Sequence, residues 1–370
     1  MKILYVTTIG STMSFFRTFI KKLLDDGITV DIATNELIKD VPECYKDWNC
    51  KVYHIDTSRS PLNKGNILAI KQIKELVEQE QYDIVHCHTP IAAMCTRFAC
   101  RKARKNGTKV IYTAHGFHFY KGAPLKNWLI FYPIEKLCAC FTDVLITINQ
   151  EDYALAQKKL KAKRIEYVPG VGIDTSKYFD VVVDKTSKRE ELAIPQNATL
   201  LISVGELNDN KNHETVIRAL SQISDKNLYY IIAGIGNKKE DLERIAKECD
   251  VSDRVKLLGY RTDVIELYKC ADVCVFPSFR EGLSVALMEA MSCGLPCAVS
   301  KIRGNTDLID ENGGALFDPF SVEDCARAIS DLLDDNISEK SEYNVNKVQQ
   351  FSLGTVMAKM DEIYQSVLGE

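Results

Sequence analysis

Pro277-Ser278-Phe279-Arg280-Glu281-Gly282-Leu283-Ser284-Val285-Ala286-Leu287-Met288-Glu289-Ala290-Met291-Ser292-Cys293-Gly294-Leu295-Pro296 is the stretch around which the rest of the 370-residue chain is read. Ala271 to Phe276, just before it, is apolar and β-branched enough for a buried strand, and Pro277 stops that strand. Ser284 is a suitable cap for a helix running through Met291, which Gly294 and Pro296 end. Glu281 falls in the loop and Glu289 eight residues further on, along the helix. Between them the amides of Gly282, Leu283 and Ser284 sit at the positive end of the helix, where an anion is stabilised. Carboxylates repel phosphate but accept hydrogen bonds from hydroxyls. The pattern therefore suits a nucleotide sugar, with ribose at one acid, a hexose at the other and the diphosphate between them.

This Glu-x7-Glu, opened by Pro-Ser-x-x-Glu-Gly and closed by Glu-Ala-Met-x-x-Gly-x-Pro, resembles the donor motif of retaining GT-B glycosyltransferases, specifically glycosyltransferase family 4, the group 1 transferases. A bare Glu-x7-Glu would be no more than a helix with two exposed acids; the flanking elements make it specific. The resemblance implies an α/β fold of GT-B type, two Rossmann-like domains with parallel sheets facing across a cleft.

Composition agrees with a chain of that size. A hydrophobic fraction of 46% beside 26% charged residues is that of a soluble globular protein, and 370 residues suit two α/β domains better than one core. No apolar run reaches the ~18 residues of a membrane span. The strand that begins at once with Met1-Lys2-Ile3-Leu4-Tyr5-Val6 leaves no room for a signal peptide. The thirteen cysteines are odd in number, sit mostly in apolar segments and show no paired Cys-x-x-Cys, so we read them as reduced thiols of a cytoplasmic protein. Charge is uneven: residues 1–170 carry 25 Lys and Arg against 17 acids, a net +8, whereas 171–370 carry 22 against 34, a net −12. The basic half fits anionic lipid head groups or a lipid-diphosphate acceptor. No nucleic-acid-binding motif accompanies the charge, so nucleic acid is not expected.

In the first half, strand, helix and strand alternate from residue 2 to Thr34 in Rossmann fashion but without Gly-x-Gly-x-x-Gly, so dinucleotide binding has no support. Gly10 stands where the family often has a glycine pair that contacts the donor. His86-Cys87-His88 closes a later strand, which would put both histidines on one side and Cys87 on the other, with no fourth ligand nearby in sequence for a metal. The helix from about Ile91 to Lys105 carries Arg97, Arg101, Lys102, Arg104 and Lys105. Two readings stand for it: a solvated helix end whose cations complement the dipole, or a patch for the inner membrane surface, to which Lys126–Tyr132 would add aromatic residues. The strand Val110–Ala114 runs into His115-Gly116-Phe117-His118, and His115 matches the family's His-Gly element at the donor sugar and reacting centre. His118 is additional and, with Arg97 and Arg101, is a candidate for the acceptor.

In the second half, Gly205-Glu206-Leu207-Asn208-Asp209-Asn210-Lys211 resembles the family's Gly-Arg-Leu-x-x-x-Lys loop, whose cations clamp the diphosphate. Gly205 and Lys211 match; Glu206 reverses the charge of the usual Arg. Either Arg280 or Arg261 replaces that cation, or Glu206 points elsewhere. Tyr260 and Arg261 lie in a segment similar to the one that contacts the base. The expected organisation is an acceptor-binding domain over 1–177, a linker over 178–196, a donor-binding domain over 197–354 and a C-terminal helix, 355–370, that crosses back onto the first domain. The implied reaction moves a hexosyl unit with retention from a nucleoside-diphosphate sugar, UDP-sugar being expected, to a glycan or polyprenyl-linked acceptor in surface polysaccharide synthesis. His115, Lys211 and Glu281 carry it, while Gly282, Leu283, Ser284 and Glu289 hold the donor. The absence of Asp-x-Asp predicts metal independence, and no cofactor is expected beyond the nucleotide sugar. The expected location is cytoplasmic, with peripheral contact to the inner membrane face. A non-catalytic partner subunit of the same fold and a nucleotide-sugar epimerase are the alternatives.

Overall fold

Continuous apolar runs separated by helices build sheets buried on both faces, and the computed structural model, which describes residues 1–61, 63–179 and 181–369, contains two of them. The chain divides into two compact units, Met1–Val171 with the C-terminal segment from Val356, and Gly172–Thr355.

The first unit holds seven strands: β1 (Lys2–Ile9), β2 (Thr29–Asn35), β3 (Val52–His54), β4 (Ile84–His88), β5 (Lys109–Ala114), β6 (Val144–Thr147) and β7 (Arg164–Tyr167). They form one parallel sheet in the order β3-β2-β1-β4-β5-β6-β7. One face packs with Ile73, Tyr82, Ala92 and Tyr112, the other with Ile20, Leu23, Met360 and Ile363. The helix Leu353–Leu368 thus supplies part of this unit's core from the far end of the sequence.

The second unit holds β8 (Thr199–Val204), β9 (Leu228–Ala233), β10 (Val255–Gly259), β11 (Val273–Phe276), β12 (Cys297–Ser300) and β13 (Gly314–Phe317). Their order, β10-β9-β8-β11-β12-β13, is that of a doubly wound nucleotide-binding sheet. In each unit the strand order reverses once, between β1 and β4 and between β8 and β11. Ligands of such sheets bind at the carboxyl ends of the strands flanking that reversal.

The division falls between Val171 and Gly172, six residues before the expected boundary at 177. Gly170 and Gly172 have φ of +82° and +76°, so the crossing uses backbone that other residues rarely adopt. The stretch read as a linker is built into the second unit. Lys185–Glu191 is a helix capped by Asp184, whose carboxylate accepts from the amides of Thr186 (3.0 Å) and Ser187 (3.2 Å). The buried Arg189 bonds the Ala198 carbonyl (2.8 Å) and Asp272 (2.7 Å). Its charged sequence resembles a solvated tether only until those distant partners are known.

Arg97 is a second departure. It is fully buried, paired through both guanidinium ends with Glu135 (Nη2 to Oε2, 3.0 Å), and lies 4.2 Å over the Tyr112 ring. It does not belong to the exposed basic face and offers nothing to a lipid or an acceptor. Removing one member of such a pair leaves the other charge buried and alone. Arg97→Ala is expected to cost about 3–5 kcal/mol in urea unfolding, with much of it recovered in Arg97→Met/Glu135→Leu. Equal losses in both variants would show that packing, not charge, is what Arg97 contributes.

Candidate active site

At the carboxyl ends of β8 and β11 the second unit brings two loops side by side, and polar contacts stitch them together. Asn210 accepts the Phe279 amide at its backbone carbonyl (2.8 Å) and donates its side-chain amide to the Arg280 carbonyl (2.9 Å). Asn212, at φ +54° and buried, donates to the carbonyls of Pro277 (3.1 Å) and Pro319 (3.0 Å). Asn208 caps the short turn Asp209–Lys211 by accepting the Lys211 amide (3.0 Å). The sequence reading passed over these three asparagines; the Asn-Asp-Asn-Lys-Asn composition of the loop was the available signal.

The stitching joins Lys211 to Glu281, Nζ to Oε1, at 2.8 Å, with both side chains mostly buried. The ammonium also lies 4.6 Å from the centre of the Phe276 ring. Gly205 is where the Lys211 side chain needs room, since a Cβ there would come within 3.2 Å of Lys211 Cε. Behind it the Gly234-Ile235-Gly236 turn underlies the same loop: a Cβ on Gly234 would meet the Gly205 carbonyl oxygen at 1.8 Å, and one on Gly236 the Leu207 oxygen at 2.2 Å. These glycines, ambiguous in sequence, set the height of the Lys211 loop.

The helix Val285–Ser292 begins at Ser284, whose hydroxyl accepts the Leu287 amide (3.4 Å). Among the described residues the amides of Gly282, Leu283 and Ser284 donate to no protein acceptor, so they remain available to an anion. Glu289, on that helix, is held by the Tyr178 hydroxyl, which donates to it at 3.0 Å. Burial raises the Glu289 carboxyl above its ordinary range, and the Tyr178 bond opposes that rise. The loop at Glu281 is braced from beneath by Arg303, whose Nε donates to the Glu281 carbonyl (3.2 Å), and by Gly304, which abuts Gly282.

Other expected members stand apart from this arrangement. Glu206 is exposed, whereas Lys211 and Glu281 are mostly buried. Arg261 bonds Asp263 (Nε to Oδ1, 2.7 Å) and Glu191 (2.7 Å), so it is not the cation that compensates for Glu206; it closes a network with Lys188 in the segment once read as linker. Asp263 is held well below the carboxylate range by that guanidinium. Arg280 is exposed at the rim, and Tyr260 is 75% exposed at the end of β10.

In the first unit the polar cluster lies at the ends of β4 and β5. His86 and His88 share one side of β4, with ring centres 4.2 Å apart, while Cys87 packs in the core beyond the other side. Both His86 nitrogens are engaged, Nδ1 with the Tyr364 hydroxyl (2.6 Å) and Nε2 with the Thr113 hydroxyl (2.8 Å). His115, half-buried, meets His88 at 3.2 Å. Burial lowers His86 to about 3, His115 to about 4 and His88 well below its usual value, so the three rings are neutral at pH 7. His118 packs against Phe131, with ring centres 4.5 Å apart. Arg101, exposed, lies over Phe141 (5.3 Å). The Gly10 amide donates to the Lys39 carbonyl (3.1 Å), and a Cβ there would approach that oxygen to 2.4 Å, so close packing gives the glycine a structural reason.

Known proteins resemble this chain over most of its length. Residues 184–350 match the family model described as "Glycosyl transferases group 1", and residues 2–149 the one described as "Glycosyl transferase 4-like". EpsD of Bacillus subtilis is 36% identical over 84% of this chain and 82% of its own. The UDP-Gal:alpha-D-GlcNAc-diphosphoundecaprenol alpha-1,3-galactosyltransferase of Escherichia coli is 30% identical over 81% of each. Among solved structures, HepE of Anabaena in complex with UDP superposes with a TM-score of 0.80 at 20% identity, over 99% of this chain and 100% of that one. Sucrose-phosphate synthase from Thermosynechococcus elongatus gives 0.80 at 19% identity, over 100% and 99%. These two likenesses identify the fold as GT-B. The chain belongs to the group 1 glycosyltransferases of family 4.

The brace under Glu281 is open to test. Gly304 has φ +79°, and a Cβ there would lie 2.2 Å from the Gly282 carbonyl oxygen. Gly304→Ala is expected to displace the Glu281–Ser284 loop and weaken nucleotide-sugar binding about tenfold or more by calorimetry, a strain of roughly 1–3 kcal/mol. Unchanged affinity would show that the loop does not depend on this contact.

Proposed function

We propose that this enzyme transfers a hexosyl unit from a UDP-sugar, with retention and without a metal, to a saccharide carried on a polyprenyl diphosphate, as a step in surface polysaccharide assembly. The observation that carries the reading is the Lys211–Glu281 ion pair beside the unpaired amides of Gly282, Leu283 and Ser284. A cation and amides without protein acceptors suit a diphosphate, and a carboxylate next to them suits sugar hydroxyls. The named substrates of the Escherichia coli relative, UDP-Gal and a diphosphoundecaprenol-linked sugar, support this choice of donor and acceptor.

In this reading the diphosphate draws Lys211 from Glu281, and the freed carboxylate binds hydroxyls of the hexose. Glu289, positioned by Tyr178, takes the ribose, and Tyr260 lies at the base. The bond from the anomeric carbon to the phosphate oxygen breaks on the face where the acceptor oxygen adds. The acceptor proton passes to the departing phosphate oxygen. The protein contributes position and charge: Lys211, assisted by Arg280, stabilises the leaving diphosphate, and the three amides orient it. In the first unit, His115 offers its ring to an oxygen of the substrate. Lys211 and the helix amides supply the positive charge that a divalent ion supplies elsewhere.

Calorimetry with UDP-, GDP- and ADP-sugars, with and without EDTA, tests the donor site. Binding of a UDP-sugar is expected to be insensitive to EDTA and lost in Lys211→Ala, with turnover of that variant or of Glu281→Ala down about 100- to 1,000-fold. Loss of binding on EDTA treatment would overturn metal independence. Near-normal turnover in both variants would overturn the site.

The acceptor's lipid implies contact with a membrane, and we assign it to the first unit. On the helix Leu125–Ala139 the side chains of Leu125 (73% exposed), Leu129 (68%), Ile130 (41%) and Leu137 (52%) face outward, flanked by Lys126 and Lys136. Between Phe98 and Phe141, leaving aside Glu135, which is buried on Arg97, the chain has eight Lys and Arg and no acid. An apolar stripe in a basic field fits an anionic bilayer, each nearby cation contributing about 1 kcal/mol. Flotation with phosphatidylglycerol vesicles is expected to carry the protein at low salt, and Leu129→Glu/Ile130→Glu to abolish it. Equal recovery with neutral phosphatidylcholine vesicles, or none with either, would overturn the assignment.

A further inference from the structure

The family pattern gives a part to His115 but none to His88, which the fold places behind it. His88 is 2% exposed, and its ring is enclosed by Phe16 (centres 4.2 Å apart), Tyr5 (5.4 Å, nearly parallel) and His86. Its Nδ1 lies 3.2 Å from His115 Nε2, whereas its Nε2 is buried without any hydrogen-bond partner among the described residues. His86 cannot supply one, because both its nitrogens are held by Tyr364 and Thr113.

A neutral imidazole carries one proton on one of its two nitrogens. With the proton on Nε2, His88 would bury an N–H with no acceptor and would have to accept at Nδ1. With the proton on Nδ1, His88 donates to His115 and leaves Nε2 as a bare acceptor, which folded proteins tolerate more often than an orphaned N–H. The second arrangement is favoured. It has a consequence one ring further on: His115 Nε2 must be the acceptor, so the proton of neutral His115 sits on Nδ1. The bond to His88 is the only hydrogen bond of the His115 ring among the described residues, and Nδ1 is left to a ligand.

We propose that His88 is a positioning residue that locks His115 in the Nδ1–H tautomer, so that His115 offers the substrate a hydrogen-bond donor and not a base. This rests on the reading that His115 meets the substrate. The ligand atom it fits is an oxygen with an available lone pair, such as a hydroxyl or ring oxygen of the sugar. It leaves the acceptor's proton to the departing phosphate. His88 itself touches neither.

The test is nitrogen NMR on the full-length protein labelled at histidine, without substrate, combined with steady-state kinetics. In wild type the His115 signals are expected to show Nδ1 protonated and Nε2 bare. His88→Phe keeps a ring in the same enclosure but removes the donor. It is expected to mix the His115 tautomers and lower kcat about 10- to 100-fold, with KM for the donor changed less than about threefold, in line with other supporting partners of functional histidines. His88→Asn, which places an amide donor near Nδ1, is expected to restore both the tautomer and most of kcat. Protonated Nε2 on His115 in the wild type overturns the proposal, as does an unchanged tautomer in His88→Phe. Full turnover in His115→Ala overturns the substrate role of His115 and the catalytic part of the proposal with it, and the NMR result then shows which of the two has failed.

Discussion

The parallel pairing of β8 with β11, Leu201 against Val273 and Ile202 against Cys274, is the constraint on which the second unit's chemistry depends. Parallel neighbours end at the same edge of the sheet, so the loops that follow them emerge together although Lys211 and Glu281 are 70 residues apart. At the reversal of strand order the helices after β8 and β11 go to opposite faces, which leaves the loops a crevice with no helix above it. A lysine and a glutamate can then meet across that crevice with little backbone adjustment. The three asparagines and the glycine turn at 234–236 fix the height at which they meet. None of them need touch a substrate to matter, since moving Lys211 by an ångström changes what its ammonium can reach.

What the sequence revealed, and what it hid, follows the range of the interactions. The strands, the helix cap at Ser284 and the spacing of Glu281 from Glu289 are local, written within a dozen residues, and they stand where they were read. Lys211 was legible because its loop follows a strand and precedes a helix in a pattern the family shares. Arg97 was misread because its partner, Glu135, is 38 residues away on another helix; a charge at a helix end reads as solvated until something distant buries it. The partners of Arg261 were hidden similarly: its ties to Asp263 and Glu191 depend on Lys185–Glu191 being a helix of the second unit, which its polar composition conceals. Gly10 hides its packing in the same way: the backbone of residues 39–41 occupies the space a side chain would need, and nothing near it in sequence says so.

Glu206 is the residue whose chemistry runs against its neighbours, and its position explains how it is tolerated. Its carboxylate is exposed, so water screens it, and two charges a few ångströms apart in water interact by only about 1 kcal/mol. Lys211, by contrast, is mostly buried, where the same separation is worth several times more. A favourable buried cation therefore outweighs an unfavourable exposed anion. The reversal lowers the net positive charge of the loop without removing the charge that sits where a diphosphate would lie.

The two units carry their polarity in different ways, and the difference suits the two halves of a nucleotide-sugar reaction. In the second unit the site is ionic, a lysine and carboxylates with free amides between them, which matches the fixed charge of a diphosphate. In the first unit burial keeps His86, His88 and His115 neutral, so their contribution is direction without charge. A sugar ring is an uncharged array of oxygens, and a neutral group can donate to one of them without the cost of stripping a charge of water. A neutral ring held by a second ring gives a directional hydrogen bond at far lower desolvation cost. The His88–His115 contact is thus the counterpart in the first unit of the Lys211–Glu281 contact in the second. Each is a pair in which one partner fixes what the other presents, one by setting where a proton sits and the other by setting where a charge sits.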